Sequence, residues 1–472
     1  MLSFSVSGSY TDLYEITMGE VAFLQNRQEL PVVFDYFFRT IPAKGGYAVF
    51  AGLQDVLDAL AGLHFTSEDI AFLRDRHFDA GYLDYLQRFR FRGRVYAVRE
   101  GEVIFPHCPV LRVEGSLFET QLVETLLLNL VNFQSLVATK ASRMRYVAGE
   151  RILSDFGFRR AHGPGGVLAA RAAVIGGFQS TSNVYAAELY GLEASGTMAH
   201  AFIESYGSEL EAFRAFSASR PQGCVFLVDT YDTLKSGVPN AITAAREMAE
   251  RGHRALGIRL DSGDLAYLAS QARAMLDEAG LPYMKIAVSN QLDEQVIRSL
   301  LDQQAPIDIF GVGTKLVTGH PDAAFDGVYK MALVGSRPTM KLSETPSKGT
   351  LPGVKQVRRV FDKDGRFFGA DVILLEGQGG APVPAMYHPF EPGKSLEIGH
   401  LRQEPLLQLV MEEGEPLHPA YSLAGLAAYC HSRLGLLPAE YKRFENPHRY
   451  KVGLSKRLLQ LREETRERYN HF

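Results

Sequence analysis

His200 lies among small and apolar residues in the stretch GTMAHAF. A histidine that packs in a hydrophobic core with its hydrogen bonds satisfied is the simplest interpretation of one such residue. Chemistry is favoured when a carboxylate lies nearby, because a carboxylate hydrogen-bonded to imidazole fixes the tautomer and raises the basicity. Asp229, in the run CVFLVDTYD, is a candidate for that partner. A histidine activated in this way can act as a base or as a nucleophile.

Two further motifs contain an arginine, which can bind an organic anion, together with a residue that can bind another part of the same substrate. IRLDSGD contains Arg259 and Asp261, whose side chains point to the same side of a strand. Asp261 can bind sugar hydroxyls or help to hold Mg²⁺, although Asp and Ser are also common N-caps of helices. SDFGFRRAHG contains Arg159 and Phe156. Guanidinium groups pair with carboxylates or phosphates and an aromatic ring can stack on a flat substrate, but adjacent arginines are also common surface charges.

The motifs AVSNQ and FGVGTK are suited to binding a phosphate monoester. They supply hydroxyl or amide side chains and glycines, namely Ser289, Asn290, Gly311, Gly313 and Thr314. Glycine lets backbone N–H groups approach an anion closely, and barrel enzymes commonly bind phosphate at their final strands. The spacing differs from that of a P-loop.

The elements that carry these motifs follow a repeating pattern. From about residue 150, short apolar runs end in polar residues and are followed by helical patterns. The residues that mark these ends are Asp155, Ser182, His200, Asp229, Asp261, Asn290 and Gly313. Their spacing fits βα units with a parallel sheet. Polar residues at the carboxyl ends of the strands favour an irregular (β/α) barrel of about seven strands over an open sheet. The first unit does not open with a GxGxxG motif, which weakens the alternative of a dinucleotide-binding sheet.

The two ends of the chain have a different texture, rich in strand-like runs such as GRVYAVREGEVIFP and VRRVFDKDGRFFGADVILL. We therefore predict an N-terminal helical and β-rich domain over about residues 1–135 and a barrel carrying the active site over about 136–345. The C-terminal segment, about 346–472, is predicted to pack on both.

Composition restricts the class of protein. The chain has 472 residues, 46% hydrophobic and 22% charged, with a formal net charge of −4. This charge gives no reason to expect nucleic acid or a membrane surface as a partner. No apolar run approaches the roughly 20 residues that span a bilayer, and the N-terminal sequence lacks a secretory pattern. Cys108, Cys224 and Cys430 are widely separated, so neither structural zinc nor disulfides are expected, and a cytoplasmic location is predicted.

The order of the motifs resembles that of the nicotinate phosphoribosyltransferases over almost the whole chain. The motifs that carry the resemblance are YTDLYEITM, DFGFRRAHGP, STSNVYAA, GTMAHAF, VDTYDTLKSGVPNAI, IRLDSGDL, FGVGTKLVT and NPHRYKVGLS. The family forms nicotinate mononucleotide and pyrophosphate from nicotinate and 5-phosphoribosyl 1-pyrophosphate in NAD salvage, coupled to ATP hydrolysis. The resemblance implies an irregular α/β barrel with a smaller β-rich domain built from both ends of the chain.

The resemblance also implies roles for individual residues. His200 would be phosphorylated by ATP and Asp229 would orient it. Phe156 and Tyr14 would sandwich the pyridine ring, with Tyr14 supplied by the second subunit of a homodimer that shares its active sites.

Further roles follow from the same resemblance. Arg159 and Arg259 would lie at the base-binding and phosphoribosyl end, and Asp261 would bind the ribose hydroxyls. The 5′-phosphate would be held by Ser289, Asn290, Gly311, Gly313 and Thr314. Lys341 would meet phosphates. Mg²⁺ would accompany the leaving pyrophosphate, with no protein ligand to it assigned.

Ser182 bears on the choice of substrate. Related nicotinamide-using enzymes have an aspartate at this position, which would repel a carboxylate, whereas a serine admits one. Arg159 would lie nearby to pair with the carboxylate, so nicotinate is expected rather than nicotinamide. A nicotinamide-using enzyme, a barrel acting on another phosphorylated sugar, and an inactive scaffold are the alternatives.

Overall fold

The computed structural model describes residues 6–343, 349–378, 380–391 and 393–469. Its contacts divide the chain into two compact units. The first combines Met1–Thr139 with Asp322–Phe472, and the second is the continuous stretch Lys140–Pro321. The boundary predicted between residues 345 and 346 lies outside the described residues.

The first unit begins with helices and short strands. In chain order they are α1 (Leu13–Leu24), β1 (Pro31–Phe38), β2 (Ala48–Val49), α2 (Leu53–Ala61), α3 (Ser67–Arg74), α4 (Ala80–Arg88), β3 (Arg94–Ala97), β4 (Val103–Ile104), β5 (Leu111–Ser116), α5 (Leu117–Leu122) and α6 (Glu124–Ala148). Local chemistry fixes several of the boundaries. At the start of α5, Ser116 and Glu119 form a reciprocal capping box, in which each side chain accepts a hydrogen bond from the other's backbone N–H.

The second unit alternates strands and helices, as the sequence predicts. Its elements are β6 (Ile152–Asp155), α7 (Gly165–Ile175), β7 (Ser180–Thr181), α8 (Val184–Tyr190), β8 (Glu193–Ala194), α9 (His200–Glu204), α10 (Glu209–Ser219), β9 (Val225–Leu227), α11 (Val238–Glu250), β10 (Gly257–Leu260), α12 (Leu265–Glu278), β11 (Lys285–Ser289), α13 (Glu294–Asp302), β12 (Ile309–Val312) and α14 (Thr314–Val317). The seven strands form one parallel sheet in the order β8-β7-β6-β12-β11-β10-β9.

This sheet confirms the prediction of an irregular α/β barrel. It is curled, and β8 and β9 are its two edges. Strand ends were predicted correctly at Asp155, which closes β6, and within two residues at most of the other markers. His200 differs, because it is the first residue of α9 and comes after the two-residue strand β8.

The C-terminal part of the chain returns to the first unit. Its elements are β13 (Gly327–Val334), β14 (Arg337–Pro338), β15 (Lys355–Phe361), β16 (Phe367–Leu375), β17 (Ala385–Tyr387), β18 (Ser395–Glu397), β19 (Arg402–Pro405), β20 (Gln408–Glu412), β21 (Glu415–Pro416), α15 (Leu423–Leu436), β22 (Lys451–Leu454) and α16 (Lys456–Tyr469).

Strands from both ends of the chain share one antiparallel sheet. Its order is β14-β13-β1-β5-β3-β20-β21, so β1 pairs with β13 on one side and β5 on the other. A second sheet, β18-β17-β22-β16-β15-β19, comes entirely from the C-terminal part. The prediction of a β-rich domain assembled from both termini is therefore confirmed.

One helix in the described chain is long and apolar enough to cross a membrane by those two criteria. It runs over Leu117–Ala148, where α5 and α6 are continuous, with a mean hydropathy of 1.3 in its most apolar window. Inside the structure, 67% of that window is buried. Core helices of soluble proteins pass the same test, so the burial favours a packing role for this helix.

Candidate active site

His200 lies where the carboxyl ends of β9 and β10 meet. Its Nδ1 is 3.1 Å from the hydroxyl oxygen of Thr230. Its Nε2 is 4.0 Å from Asp229 Oδ1 and 3.8 Å from Asp261 Oδ2, and the imidazole side chain is 38% exposed. The histidine therefore faces a carboxylate pair rather than an apolar core, and solvent or a substrate can reach it.

The partner of the imidazole differs from the one that the sequence predicts. A separation of 4.0 Å between His200 and Asp229 is too long for a hydrogen bond. Asp229 instead uses Oδ2 to accept hydrogen bonds from the Asp261 backbone N–H, at 2.8 Å, and from the Ser262 hydroxyl, at 2.6 Å. Thr230, which sequence analysis missed, takes the position expected for Asp229.

Asp229 keeps one oxygen without a hydrogen bond. Its Oδ1 is buried and has no hydrogen-bond partner among the described residues. A buried carboxylate oxygen without a partner is costly unless a cation or donor satisfies it. This oxygen and the Asp261 carboxylate lie on the same side of His200, so the pair is suited to a hard cation.

Arg259 connects several strand ends. Its Nε donates to the Ser289 hydroxyl at 3.0 Å, and its Nη1 donates to the Thr197 hydroxyl at 2.7 Å. Its Nη2 lies 3.3 Å from Asp261 Oδ1, which also accepts a hydrogen bond from Ser289. Strand alternation was expected to place Arg259 and Asp261 together, and the structure brings them into contact.

Phe156 is held beside this arginine. The Phe156 ring centroid is 5.7 Å from the Arg259 guanidinium carbon, and its backbone N–H donates to Val312 O at 2.8 Å. Gly311 lies under the ring, because a Cβ added there would be 2.5 Å from a ring carbon. A glycine is therefore required at 311 for the ring to lie in this place.

Asp155 fixes the turn that carries Phe156. Its carboxylate is buried and accepts hydrogen bonds from Gly157 N at 2.8 Å and Thr181 Oγ1 at 2.9 Å. Burial raises the pKa of Asp155 to about 6, although these two hydrogen bonds act in the opposite direction. Sequence analysis used Asp155 only as the end of a strand and did not identify this positioning role.

The remaining predicted residues are less closely connected. Ser182 is half-buried just after β7, and its backbone N–H donates to Asp155 O at 2.7 Å. Arg159 is exposed in the 3-10 turn Phe158–Arg160, outside the contacts that join His200, Arg259 and Asp261 in the described chain. Tyr14 belongs to the first unit, where it is 49% exposed on α1.

The predicted phosphate-binding residues follow β11 and β12. Ser289 ends β11, and Asn290 and Gln291 after it both have positive φ, at 88° and 47°. Consecutive residues in this region can direct backbone N–H groups toward one anion. Gly313 precedes α14, whose first residue is Thr314. The Ser289 hydroxyl is already engaged by Arg259 and Asp261.

The described residues form no group of three or more His, Cys, Asp and Glu side chains arranged to hold a metal ion. Mg²⁺ needs fewer protein ligands, because it commonly binds one or two carboxylates and takes its other ligands from water and substrate phosphates. Asp229, with its unpaired Oδ1, and Asp261 therefore fit Mg²⁺.

Comparisons with known proteins agree over almost the whole chain. Sequence models of the nicotinate phosphoribosyltransferase (NAPRTase) match in three parts: the N-terminal domain at residues 10–132, the family core at 152–365 and the C-terminal domain at 354–462. The nicotinate phosphoribosyltransferase of Bacillus subtilis (strain 168) is 41% identical over 454 residues, covering 94% of this chain and 92% of that protein. The Homo sapiens nicotinate phosphoribosyltransferase is 34% identical over 512 residues, covering 95% of this chain and 94% of that protein.

Solved structures are similar as well. The crystal structure of human nicotinic acid phosphoribosyltransferase superposes with a TM-score of 0.86 at 32% identity, covering 96% of this chain and 99% of that one. The nicotinate-nucleotide pyrophosphorylase from Pyrococcus furiosus has a TM-score of 0.72 at 24% identity, covering 92% of this chain and 98% of that one, which shows a shared fold.

Proposed function

The chain belongs to the nicotinate phosphoribosyltransferase family, and from this premise we propose that it joins nicotinate to 5-phosphoribosyl 1-pyrophosphate in NAD salvage. The products are nicotinate mononucleotide and pyrophosphate. The observation that carries the proposal is the convergence of His200, Arg259 and Asp261 at the carboxyl ends of the parallel strands. These are the groups that a pyridine carboxylate and a phosphorylated sugar need together.

The base-binding part of the site consists of Phe156 and Arg259. The pyridine ring stacks on Phe156. The Arg259 guanidinium, 5.7 Å from the centroid of the Phe156 ring, pairs with the substrate carboxylate. Ser182 adds no negative charge near that carboxylate, which favours nicotinate over nicotinamide. Arg159, which is exposed, is proposed to complete the base-binding end once substrate is present.

Transfer of the phosphoribosyl group needs no general base. The pyridine nitrogen is unprotonated at neutral pH, and its lone pair forms the bond to ribose C1 as the bond from C1 to the pyrophosphate oxygen breaks. Positive charge develops on the ribose ring, so catalysis depends on positioning and electrostatics. Asp261 accepts the ribose hydroxyls and places its negative charge beside that ring.

We assign the coupling to ATP to His200. When Nδ1–H donates to Thr230, the lone pair is left on Nε2, which can attack the γ-phosphorus of ATP. A bond from Nε2 to phosphorus forms while the bond from phosphorus to the ADP oxygen breaks. Hydrolysis of the phosphohistidine then returns His200 and phosphate.

Mg²⁺ would be held by Asp229 and Asp261, where it would neutralise the charge of the pyrophosphate. The carboxylates face Nε2 at 4.0 Å and 3.8 Å, and they would repel an anionic phosphoryl group on their own. The residues around the site thus favour a cation as part of the substrate complex.

Four further features belong to the proposal. The 5′-phosphate is assigned to the turns after β11 and β12, at Ser289, Asn290, Gly311, Gly313 and Thr314. Tyr14 is assigned to the active site of the second subunit of a homodimer. Lys341 is assigned to phosphate contacts, and the enzyme is proposed to be cytoplasmic.

The decisive experiment measures nicotinate mononucleotide and pyrophosphate from nicotinate and 5-phosphoribosyl 1-pyrophosphate with Mg²⁺, with and without ATP. We expect turnover with nicotinate, faster with ATP, and at least about a hundredfold less with nicotinamide. Equal turnover of nicotinamide would contradict the assignment of the substrate. Absence of both products would reject the function.

Phosphorylation of His200 is tested by intact mass after incubation with ATP. We expect an acid-labile addition of one phosphate that is lost in His200→Ala. His253→Ala is the matched control, because His253 is exposed in the turn after α11 and belongs to none of the contacts above. Persistence of the adduct in His200→Ala would reject the phosphohistidine.

A further inference from the structure

Three serine hydroxyls from adjacent strands meet inside the second unit. They belong to Ser154 in β6, Ser180 in β7 and Ser195 just after β8, and we call them the serine trio. The Ser154 and Ser195 oxygens are 2.5 Å apart, and Ser180 Oγ lies 2.9 Å from Ser154 Oγ and 3.0 Å from Ser195 Oγ. Ser154 and Ser180 are 2% and 6% exposed. None of these three residues has a role in the proposed mechanism.

The register of the sheet places the serine trio beneath the proposed base pocket. Ser154 pairs with Gly311 of β12 on one side and with Ser180 on the other. Gly311 is the residue over which the Phe156 ring lies. Because side chains alternate along a strand, Ser154 and Phe156, two residues apart in sequence, face the same side. The trio and the aromatic ring therefore share one face of the sheet.

The other two serines have the same spacing in sequence from a polar residue beyond the end of a strand. Ser182 follows Ser180 by two residues, and Thr197 follows Ser195 by two. Thr197 accepts the hydrogen bond from Arg259 Nη1 at 2.7 Å. Ser195 follows Ala194, which pairs with Thr181, so its backbone lies level with Ser182 while its hydroxyl reaches back to those of Ser154 and Ser180. The three hydroxyls therefore meet at the level of Ser154 and Ser180, and Phe156 and Ser182 lie nearer the carboxyl ends of the strands.

The chemistry of the trio suits a carboxylate. A serine hydroxyl donates one hydrogen bond, accepts up to two, and rotates freely about its C–O bond. Three hydroxyls in mutual contact can satisfy one another in a closed ring while the pocket is empty. An acceptor placed above them can accept hydrogen bonds from one or two of these hydroxyls without leaving a buried group unpaired. A carboxylate, with two oxygens and no proton, is the acceptor that fits best beside a guanidinium.

We propose that the serine trio forms the floor of the base pocket and donates hydrogen bonds to the carboxylate of the aromatic acid, whose charge Arg259 balances. The inference rests on the proposed function and deepens it by assigning further residues that determine specificity. It makes Ser154, Ser180 and Ser195 substrate contacts in addition to Arg259.

The test compares Ser154→Ala and Ser195→Ala with the unaltered protein in steady-state assays and in calorimetric binding of nicotinate. A hydrogen bond to a charged group is strong enough that its loss should raise the KM and the Kd for nicotinate at least about tenfold. The KM for 5-phosphoribosyl 1-pyrophosphate should change by less than about twofold, because that substrate does not contact the serine trio. Ser270→Ala is the control, since Ser270 is exposed on α12 and bonds only to its own helix at Ala266 O.

The outcomes separate the inference from the function. If the unaltered protein forms nicotinate mononucleotide but both alanine variants keep its KM and Kd for nicotinate, the trio is structural and the inference is wrong. If the unaltered protein forms no product, the proposed function fails and the inference fails with it. Ser195, which is half-buried at the edge of the sheet, keeps the test valid if the buried Ser154→Ala does not fold.

Discussion

At the scale of single residues, the hydrogen bond between Thr230 and His200 Nδ1 holds the orientation of the imidazole ring. Thr230→Val removes the hydroxyl but keeps the shape of the side chain. We expect ATP-dependent phosphorylation of His200 to slow by about fivefold to tenfold, which corresponds to the net value of one hydrogen bond. Thr230→Ser should restore most of the rate. The measurement is the rate of phosphate incorporation from ATP, and an unchanged rate in Thr230→Val would assign the orientation of the ring to other contacts.

Asp155 leads to a prediction about pH and stability. Its pKa is raised from 3.8 to about 6 in the folded protein, so between about pH 4 and pH 6 the folded state keeps a proton that the unfolded state releases. The free energy of unfolding therefore falls as the pH rises through that window, by about 2 to 3 kcal/mol from this group. Asp155→Asn has no such titration. Urea denaturation of both proteins should show that, from pH 4 to pH 7, the free energy of unfolding of Asp155→Asn rises relative to that of the unaltered protein. A difference in free energy that stays constant with pH would refute the raised pKa.

Some residues of the site could be predicted from the sequence and others could not. Arg259 and Asp261 were found because two residues of separation on a strand imply a shared side. Thr230 was missed because the adjacent Asp229 offered the stronger chemical signal, and the direction of each side chain depends on how the chain leaves β9. The serine trio was missed because serine carries no signal until register brings three hydroxyls together.

At the scale of elements, the contact between β6 and β12 sets the position of the aromatic ring. Gly311→Ala introduces a Cβ that would lie 2.5 Å from Phe156, so the ring must move. We expect the KM for nicotinate to rise by about tenfold or more, since stacking depends on the plane of the ring. The KM for 5-phosphoribosyl 1-pyrophosphate should change less.

The control for this variant is Gly435→Ala. Gly435 lies in α15, and a Cβ there meets nothing within 4 Å, so this substitution should leave both KM values unchanged and slightly stabilise the helix. If Gly311→Ala binds nicotinate as tightly as the control does, the position of the Phe156 ring does not govern binding of the base.

The order of strands and helices in the second unit was predictable from one local rule, that an apolar run followed by a polar residue marks the end of a parallel strand. Six of the seven predicted ends lie within two residues of the carboxyl end of a parallel strand, where functional side chains collect. The rule failed at His200, where β8 is only two residues long and the polar residue belongs to the next helix. Strand order was not predictable, because it depends on which edges pair in three dimensions.

At the scale of the whole molecule, buried charges tie together distant parts of the chain within the first unit. Lys355 in β15 lies 2.7 Å from Asp35 in β1, and both side chains are almost fully buried. Burial raises the pKa of Asp35 and lowers the pKa of Lys355, and each charge partly offsets the effect on the other. Lys355→Met should destabilise the protein by about 3 to 5 kcal/mol, because it leaves a buried carboxylate without its cation.

Adding Asp35→Asn to Lys355→Met should recover part of that loss, since the buried charge is then gone. The control is Arg214→Met, which breaks the largely exposed ion pair with Glu247 at 2.6 Å and should lower the free energy of unfolding much less than Lys355→Met does. Chemical denaturation of the three variants measures these differences. A loss in Lys355→Met no larger than that of the control would show that the buried pair contributes little.

The shared antiparallel sheet of the first unit has a consequence for synthesis on the ribosome. The second unit is continuous in sequence, so all of its strands are available once residue 321 has emerged, whereas β1 must wait for β13 to cover one of its edges. During that interval β1 has one edge of unpaired backbone N–H and C=O groups. Its side chains after Pro31, which are buried in the finished protein, are then exposed as well. Fragments that stop before β13 should therefore aggregate unless a chaperone covers β1.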